Sequence, residues 1–204
     1  SNATLHNQDE INRKDVRIRD TVLIQRAGDV IPEIIKVIKE KRPRNTKVYN
    51  LPNQCPVCYH SVFRLKDEVV TRCHNMECPA QIKRRIEHFV SKNCMDIDGF
   101  GIKLIDQLVE KKLIYSVTDI YNLSLEQLSQ LERMAEKSAQ NIMDAIELSK
   151  STTMARFIHA LGIRNVGEHA SKVLEKSFGG NLKKLSQAKI EDLTAIYEIG
   201  KIMA

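Results

Sequence analysis

Two periodicities divide the chain. Between residues 16 and 38, apolar β-branched residues are interspersed with charge. Val16-Arg17-Ile18-Arg19-Asp20-Thr21-Val22-Leu23-Ile24-Gln25-Arg26 reads as one strand, or two short ones around Asp20. Ala27-Gly28-Asp29 predicts a turn, and Val30-Ile31-Pro32-Glu33-Ile34-Ile35-Lys36-Val37-Ile38 resumes the strand pattern. Pro32 cannot donate to a ladder, which assigns it to an edge, a bulge or a strand start. Shorter runs, Ser61-Val62-Phe63-Arg64-Leu65 and Glu68-Val69-Val70-Thr71-Arg72, predict a hairpin turning at Lys66-Asp67. Beyond residue 80 the period lengthens. Ile102, Ile105, Leu108 and Val109 make one helical stripe, and helical runs separated by short turns continue to the end. Ser124 and Gln127 fit a capping box, and Ser186 is placed to cap without one. The fold class expected is multidomain α+β, with a β region at 1–50, a small module at 51–80 and an all-α region at 81–204.

Charge changes the picture mainly at the N-terminal end. The chain carries +6, of which residues 1–50 hold +4, from eleven Lys/Arg against seven Asp/Glu. A small barrel suits the β region, and an OB-like barrel would set Arg17, Arg19 and Arg26 near a polyanion. The same arginines also fit a solvated strand face. Lys39-Glu40-Lys41-Arg42-Pro43-Arg44-Asn45 reads as an exposed connector. No apolar run approaches a membrane span and no export signal is evident.

Cysteine spacing supplies the sharpest chemistry. Cys55-x2-Cys58 and Cys73-x4-Cys78 are separated by fourteen residues. Each pair can present two thiolates to one ion, and the segment between can fold back. That is the pattern of a structural zinc site, with an iron–sulfur cluster as the minor alternative. Four thiolates leave no open position, so His60 and His74 are not needed as ligands and catalysis at the metal is not expected. A module this small would draw much of its folding energy from the metal. Cys94 stands alone and is expected to be a reduced, partly buried thiol. Reduced cysteines and no export signal point to the cytoplasm.

In the helical region, Met95-Asp96-Ile97-Asp98-Gly99-Phe100-Gly101-Ile102-Lys103 places Gly-h-Gly between helices. Glycine permits a positive φ there, and amides at the next helix start can receive a phosphate oxygen, with Lys103 adding charge. Helix–hairpin–helix modules hold a nucleic-acid backbone this way without reading bases. Leu131-Glu132-Arg133-Met134-Ala135 has the rhythm without the glycines and reads as scaffold. Leu161-Gly162-Ile163-Arg164-Asn165-Val166-Gly167 is a better hairpin, because Asn165 tolerates left-handed geometry. Ile196-Tyr197-Glu198-Ile199-Gly200-Lys201 is a fourth, where Glu198 is a poor neighbour for phosphate and Lys201 partly offsets it. A purely structural helical bundle fits the same pattern.

Together these segments resemble the central and C-terminal part of bacterial NAD-dependent DNA ligase. The resemblance is carried by Ala3-Thr4-Leu5-His6-Asn7, Arg26-Ala27-Gly28-Asp29-Val30-Ile31-Pro32, the four cysteines, residues 95–101 and residues 160–167, in that order. It implies a partial OB-fold domain, a four-cysteine zinc finger and a helix–hairpin–helix domain. It implies Zn bound by Cys55, Cys58, Cys73 and Cys78. It also implies DNA contacts from Arg26 and Gly28, from Gly99, Gly101 and Lys103, from Arg164, Asn165 and Gly167, and from Gly200 and Lys201. The partner implied is nicked double-stranded DNA, held through its backbone, with the parent enzyme a monomer using NAD and Mg. No Lys-x-Asp-Gly nucleotidyltransferase motif occurs in these residues, so the chain alone is expected to be inactive. Ser1-Asn2-Ala3 resembles a tag remnant, and the resemblance begins after the first OB strand. A lost strand would expose its partner's edge, which leaves disorder, distortion or pairing with another copy open for residues 1–50. Two other readings stay open: a protein-interaction module, and an accessory region of a repair nuclease or helicase.

Overall fold

The computed structural model of the chain describes residues 2–26, 31–65 and 68–204. The turn expected at Ala27-Gly28-Asp29 and the one at Lys66-Asp67 lie outside the described residues. The chain divides into two compact units, Ser1–Cys78 and Pro79–Ala204. Among the described residues, no helix is long and apolar enough to cross a membrane.

The first unit begins with a helix that the strand-like periodicity concealed, α1 (Gln8–Arg13). Asn7 caps it by accepting from the Asp9 amide, and Asp9 and Glu10 lie in its first turn, where the helix dipole favours anions. Of the one strand or two short ones expected over residues 16–26, the part after Asp20 forms β1 (Val22–Gln25), paired antiparallel with β2 (Glu33–Val37), with an irregularity between Leu23 and Ile24. Residues 17–20 form a turn instead. The Arg17 amide donates to the Asp20 carboxylate at 2.8 Å, and Arg19 adopts φ +74°. Ile11, Val16 and Ile34 form the small core between α1 and the sheet.

The connector is exposed as expected, except at Arg42, which is half-buried. Arg42 donates to both carboxylate oxygens of Asp20 at 2.9 Å and to Asp15 at 2.7 Å, and the Asp20 side chain is only 1% exposed. The Arg42 guanidinium is the main reason both carboxyls are held below the ordinary range. The finger hairpin is shorter than expected: β3 (Val62–Phe63) pairs with β4 (Arg72–Cys73). The Asn7–Val70 bridge and the 2.5 Å Arg64–Asp9 ion pair tie it to the N-terminal segment.

The second unit is a series of helices: α2 (Pro79–Val90), α3 (Ile102–Glu110), α4 (Leu125–Ser129), α5 (Glu136–Ser149), α6 (Met154–Ala160), α7 (Glu168–Phe178), α8 (Leu182–Ser186) and α9 (Ile190–Thr194). A large core gathers Ile86 and Phe89 of α2, Ile105 and Leu108 of α3, Leu128 of α4 and Ile142 of α5. A second cluster joins Met154 and Ile158 of α6 to Ala170 and Leu174 of α7 and to Ile199. The α3 stripe is shifted from expectation. Leu104, Ile105 and Leu108 are buried, whereas Ile102 is 62% exposed because it is the first helical residue, beyond the reach of the core. The Ser124–Gln127 capping box is formed. Ser186 caps nothing: it ends α8 and donates to the Lys183 carbonyl, while Asn181 caps α8 and Lys189 occupies the cap position of α9.

Candidate metal centre and nucleic-acid interface

The four cysteines of the first unit converge. Cys55 lies in a tight knuckle: its amide donates to the His60 carbonyl at 2.8 Å, its carbonyl accepts from the Tyr59 amide at 3.0 Å, and Tyr59 adopts φ +59°. Cys78 closes the second turn, donating its amide to the Asn75 carbonyl at 3.1 Å. Cys73 is delivered by the β3–β4 pairing opposite Val62. The four Sγ atoms all lie within 4.8 Å of one another, with Cys55–Cys78 at 3.9 Å and Cys58–Cys73 at 3.6 Å. Tetrahedral zinc with Zn–S bonds near 2.3 Å requires sulfurs about 3.8 Å apart, a spacing that the two closest pairs already bracket. A disulfide needs about 2.05 Å, and all five cysteines are free thiols.

The electrostatics of the cluster call for a cation. The His60 backbone N–H is the main influence lowering Cys58 to about 6. The Asn75 backbone N–H also lowers Cys73, but burial and the neighbouring Cys58 and Cys55 sulfurs together push it up to about 12. One sulfur is ready to ionise and another strongly resists, as expected when negative charge accumulates in a confined space. A divalent ion reverses that opposition. His60 directs Nδ1 to the Cys58 carbonyl at 3.1 Å, and His74 stacks on Phe63 with centroids 4.0 Å apart. Neither joins the sulfur cluster.

The second unit repeats one turn four times. The residues with positive φ are Gly99 (+78°), Arg133 (+59°), Asn165 (+64°) and Glu198 (+75°). In each turn the next residue donates its amide back three positions: Phe100 to Ile97, Met134 to Leu131, Val166 to Ile163 and Ile199 to Ile196, at 3.0–3.4 Å. Phe100, Val166 and Ile199 are buried and Met134 packs against the core, which pins each turn from beneath. Gly101, Ala135 and Gly167 then occupy the extended cap positions of α3, α5 and α7, and none makes a side-chain capping bond. In the first hairpin the Gly99 amide bonds Asp98 Oδ1 at 2.9 Å and the Gly101 amide bonds the Gly99 carbonyl at 3.0 Å. The donors left at that helix start are the amides of Ile102 and Lys103. A Cβ built at Gly101, Gly167 or Gly200 would meet nothing within 4 Å. Gly101 and Gly167 therefore leave open space above the starts of α3 and α7, and Gly200 leaves it above the final turn.

Family models match four stretches of the chain: an NAD-dependent DNA ligase OB-fold domain over residues 1–46, an NAD-dependent DNA ligase C4 zinc finger domain over 54–80, a SAM-like helix–hairpin–helix tandem over 93–147 and a helix–hairpin–helix motif over 156–204. The order and type of these modules decide the assignment. The chain belongs to the NAD-dependent DNA ligase family. The matched modules are the DNA-binding, non-catalytic portion of that ligase, in a mixed α+β architecture, and the cysteine cluster is consistent with a structural zinc site.

Within this ligase portion, the residues singled out by sequence fall into distinct settings. Cys55, Cys58, Cys73 and Cys78 come together. Gly99, Gly101, Asn165, Gly167 and Gly200 all lie in hairpin turns, and Lys103 and Lys201 are exposed beside two of them. Arg19 and Arg26 are exposed. Arg17 is half-buried and paired with Asp15 at 3.0 Å. Gly28 lies outside the described residues. Elsewhere in the second unit, Lys83 of α2 bridges Asp106 at 2.6 Å and Glu110 at 3.0 Å on α3. Glu198 turns its carboxylate to His169, 2.5 Å away.

Sequence reasoning found the rhythm of the second hairpin but not its left-handed residue, because Arg133 stands where a glycine would announce a positive φ. The signal it could have used is the spacing of Leu131 and Met134, which matches Ile97 and Phe100. Cys94 is fully buried, and burial is the main cause raising its thiol above the ordinary value.

Proposed function

We propose that this chain grips nicked duplex DNA for the NAD-dependent ligase, through sequence-independent contacts to the sugar-phosphate backbone. The observation that carries the reading is the repeated hairpin, whose glycine-opened helix starts lack side-chain caps. The Ile102 and Lys103 amides receive phosphate oxygen at the first hairpin, where the helix dipole and the Lys103 ammonium add attraction. Arg164, Asn165 and Gly167 serve the third hairpin, and Gly200 and Lys201 the fourth, with Glu198 drawn aside by His169. Arg26 and Gly28, with Arg17 and Arg19, supply the contact of the N-terminal module. Backbone contacts carry no sequence information, which suits an enzyme that must seal breaks anywhere.

Zn held by Cys55, Cys58, Cys73 and Cys78 fixes the two turns of the finger and stabilises a module with almost no apolar core of its own. The domain limits 1–50, 51–80 and 81–204 follow this division of labour. Adenylyl transfer from NAD, with Mg, belongs to the ligase's nucleotidyltransferase portion, and none of the residues above donates or accepts the adenylyl group. The cytoplasm is the compartment that reduced cysteines favour, and a monomer is the form in which one copy encircles one break.

Binding to a nicked duplex, followed by fluorescence anisotropy against salt and with unrelated DNA sequences, tests the reading. The expected result is binding that weakens steeply with salt and varies little with sequence. Absence of binding at low salt, or binding indifferent to salt, overturns it. Self-adenylation of this chain by NAD would overturn the noncatalytic assignment.

A further inference from the structure

A second group of metal-ligand side chains lies in the helical unit, unused by the finger or the hairpin turns. His88 near the end of α2, the fully buried Cys94 and His159 of α6 each offer a ligand atom, all within 4.8 Å of one another. Cys94 Sγ lies 3.9 Å from His88 Nδ1 and 3.7 Å from Nε2. His88 Nε2 is 2.8 Å from the His159 backbone carbonyl. A carbonyl only accepts, so that contact places the ring proton on Nε2 and leaves the Nδ1 lone pair available, the arrangement by which a second hydrogen bond orients a metal-binding histidine. Independently, His159 Nδ1 is buried and has no hydrogen-bond partner, a condition native interiors rarely leave unexplained.

The cluster is held by contacts that need no ion. Arg156 Nε donates to the Cys94 carbonyl at 2.8 Å and Nη2 to the Lys92 carbonyl at 2.5 Å, fastening the 92–94 loop to α6. A Cβ at Gly162 would sit 3.3 Å from His88 Cδ2, so the ring packs directly beneath that turn.

We propose that His88, Cys94 and His159 form a second divalent-metal site, of zinc type, built from two imidazoles and one thiolate. Bond lengths of about 2.3 Å to sulfur and 2.0–2.1 Å to nitrogen set a tetrahedral S–N separation of about 3.6 Å. Cys94 Sγ lies almost equally far from the two His88 nitrogens, so binding requires the ring and the sulfur to shift until Nδ1, rather than the ring face or Nε2, meets the ion shared with Sγ. As the cation binds, Cys94 gives its thiol proton to solvent and the sulfur lone pair takes the metal. A fourth ligand would have to come from the cavity of about 440 Å³ that His159 also lines, together with Lys92, Asp96, Arg156, Glu168 and Lys172. The cavity carries both signs of charge, so it admits a cation together with a water or an exchangeable anion. Mixed imidazole and thiolate donors select zinc or cobalt over calcium or magnesium. The pair of ions would differ in kind: the finger site is closed, and this one keeps a coordination position that exchanges.

The test is metal stoichiometry of the whole chain, stripped under reducing conditions and titrated with Zn²⁺, then with Co²⁺ as the spectroscopic probe. The expected result is two equivalents, the first with the spectrum of four thiolates and the second, weaker, with a single-thiolate spectrum. Cys94→Ala and His159→Phe should each lose the second equivalent and keep the first. His159→Phe removes an orphaned nitrogen, and an unchanged helical circular dichroism signal shows that the second unit is folded. Saturation of the wild type at one equivalent overturns the proposal. So does retention of the second equivalent by folded His159→Phe and Cys94→Ala.

Discussion

Gly101→Ala separates the hairpin's fold from its contact with DNA. Gly101 has φ −79° and ψ 171°, values any residue adopts, and its Cβ would meet nothing within 4 Å. Ala135 already occupies the corresponding position of the second hairpin with φ −77° and ψ 153°. Alanine should stabilise by about 0.4–1 kcal/mol through the unfolded chain. It should cost up to about 1 kcal/mol as a poorer helix cap, so the melting temperature should barely move. In the complex the new methyl group stands where a phosphate oxygen must approach the Ile102 and Lys103 amides. Loss of one charge-assisted hydrogen bond is worth about 1.5–3 kcal/mol, or roughly ten- to a hundredfold in Kd. Gly167→Ala should behave alike at α7. The assay is anisotropy of a labelled nicked duplex at two salt concentrations. Because no charge is removed, the salt slope should stay near that of the wild type, whereas Lys103→Ala should reduce it by about one phosphate equivalent. If both glycine variants melt normally and bind like the wild type, the hairpin starts do not touch phosphate and the assigned mode of binding is wrong.

Three further outcomes follow from other parts of the molecule. Gly99→Ala should destabilise the helical unit by about 1–3 kcal/mol, because alanine there meets both φ +78° and the Ile142 side chain at 3.1 Å; an unchanged melting temperature would show that the turn is not strained. Metal chelation should abolish the finger's amide dispersion in NMR spectra while the helical circular dichroism persists, because the second unit carries its own core; collapse of the helical signal would contradict that independence. Asp15 and Asp20 titrate below their ordinary range when folded, chiefly because Arg42 bonds them. Their stabilisation is therefore complete above the unfolded value near pH 3.9 and is lost as pH falls through the depressed folded values. Thermal melts should show Arg42→Met destabilised at pH 7 and the difference shrinking as pH falls below the unfolded value; a difference independent of pH would refute the pairing.

What the sequence disclosed depended on whether chemistry or geometry required a particular residue. Thiolate ligands have no substitute in a four-sulfur site, so spacing alone located the metal centre. α1 carried a local signal too, an Asn cap followed by acids, but alternating β-branched residues downstream drew attention from it. The Arg42 network joins residues 22 and 27 positions apart, and nothing in the local pattern around Lys39–Lys41 encodes it. The same is true of His88, Cys94 and His159, brought together only by packing α6 against the end of α2.

The hairpins show why glycine was an incomplete guide. A left-handed residue other than glycine or asparagine costs about 1–2 kcal/mol, and Arg133 and Glu198 meet that cost, while Asn165 meets less of it. What the four turns share is the apolar residue that follows, seated in or against the core and returning its amide to the residue three positions before. The turn is thus specified by its anchor and its backbone hydrogen bond, not by glycine at the left-handed position. Glycine at the cap position two residues later has no such structural duty, since Gly101, Gly167 and Gly200 all face open space. The two glycines of the Gly-h-Gly pattern therefore answer to different constraints: Gly99 relieves strain within the fold, and Gly101 leaves a helix start open. A hairpin can form the turn without either glycine, as the Arg133–Ala135 turn does.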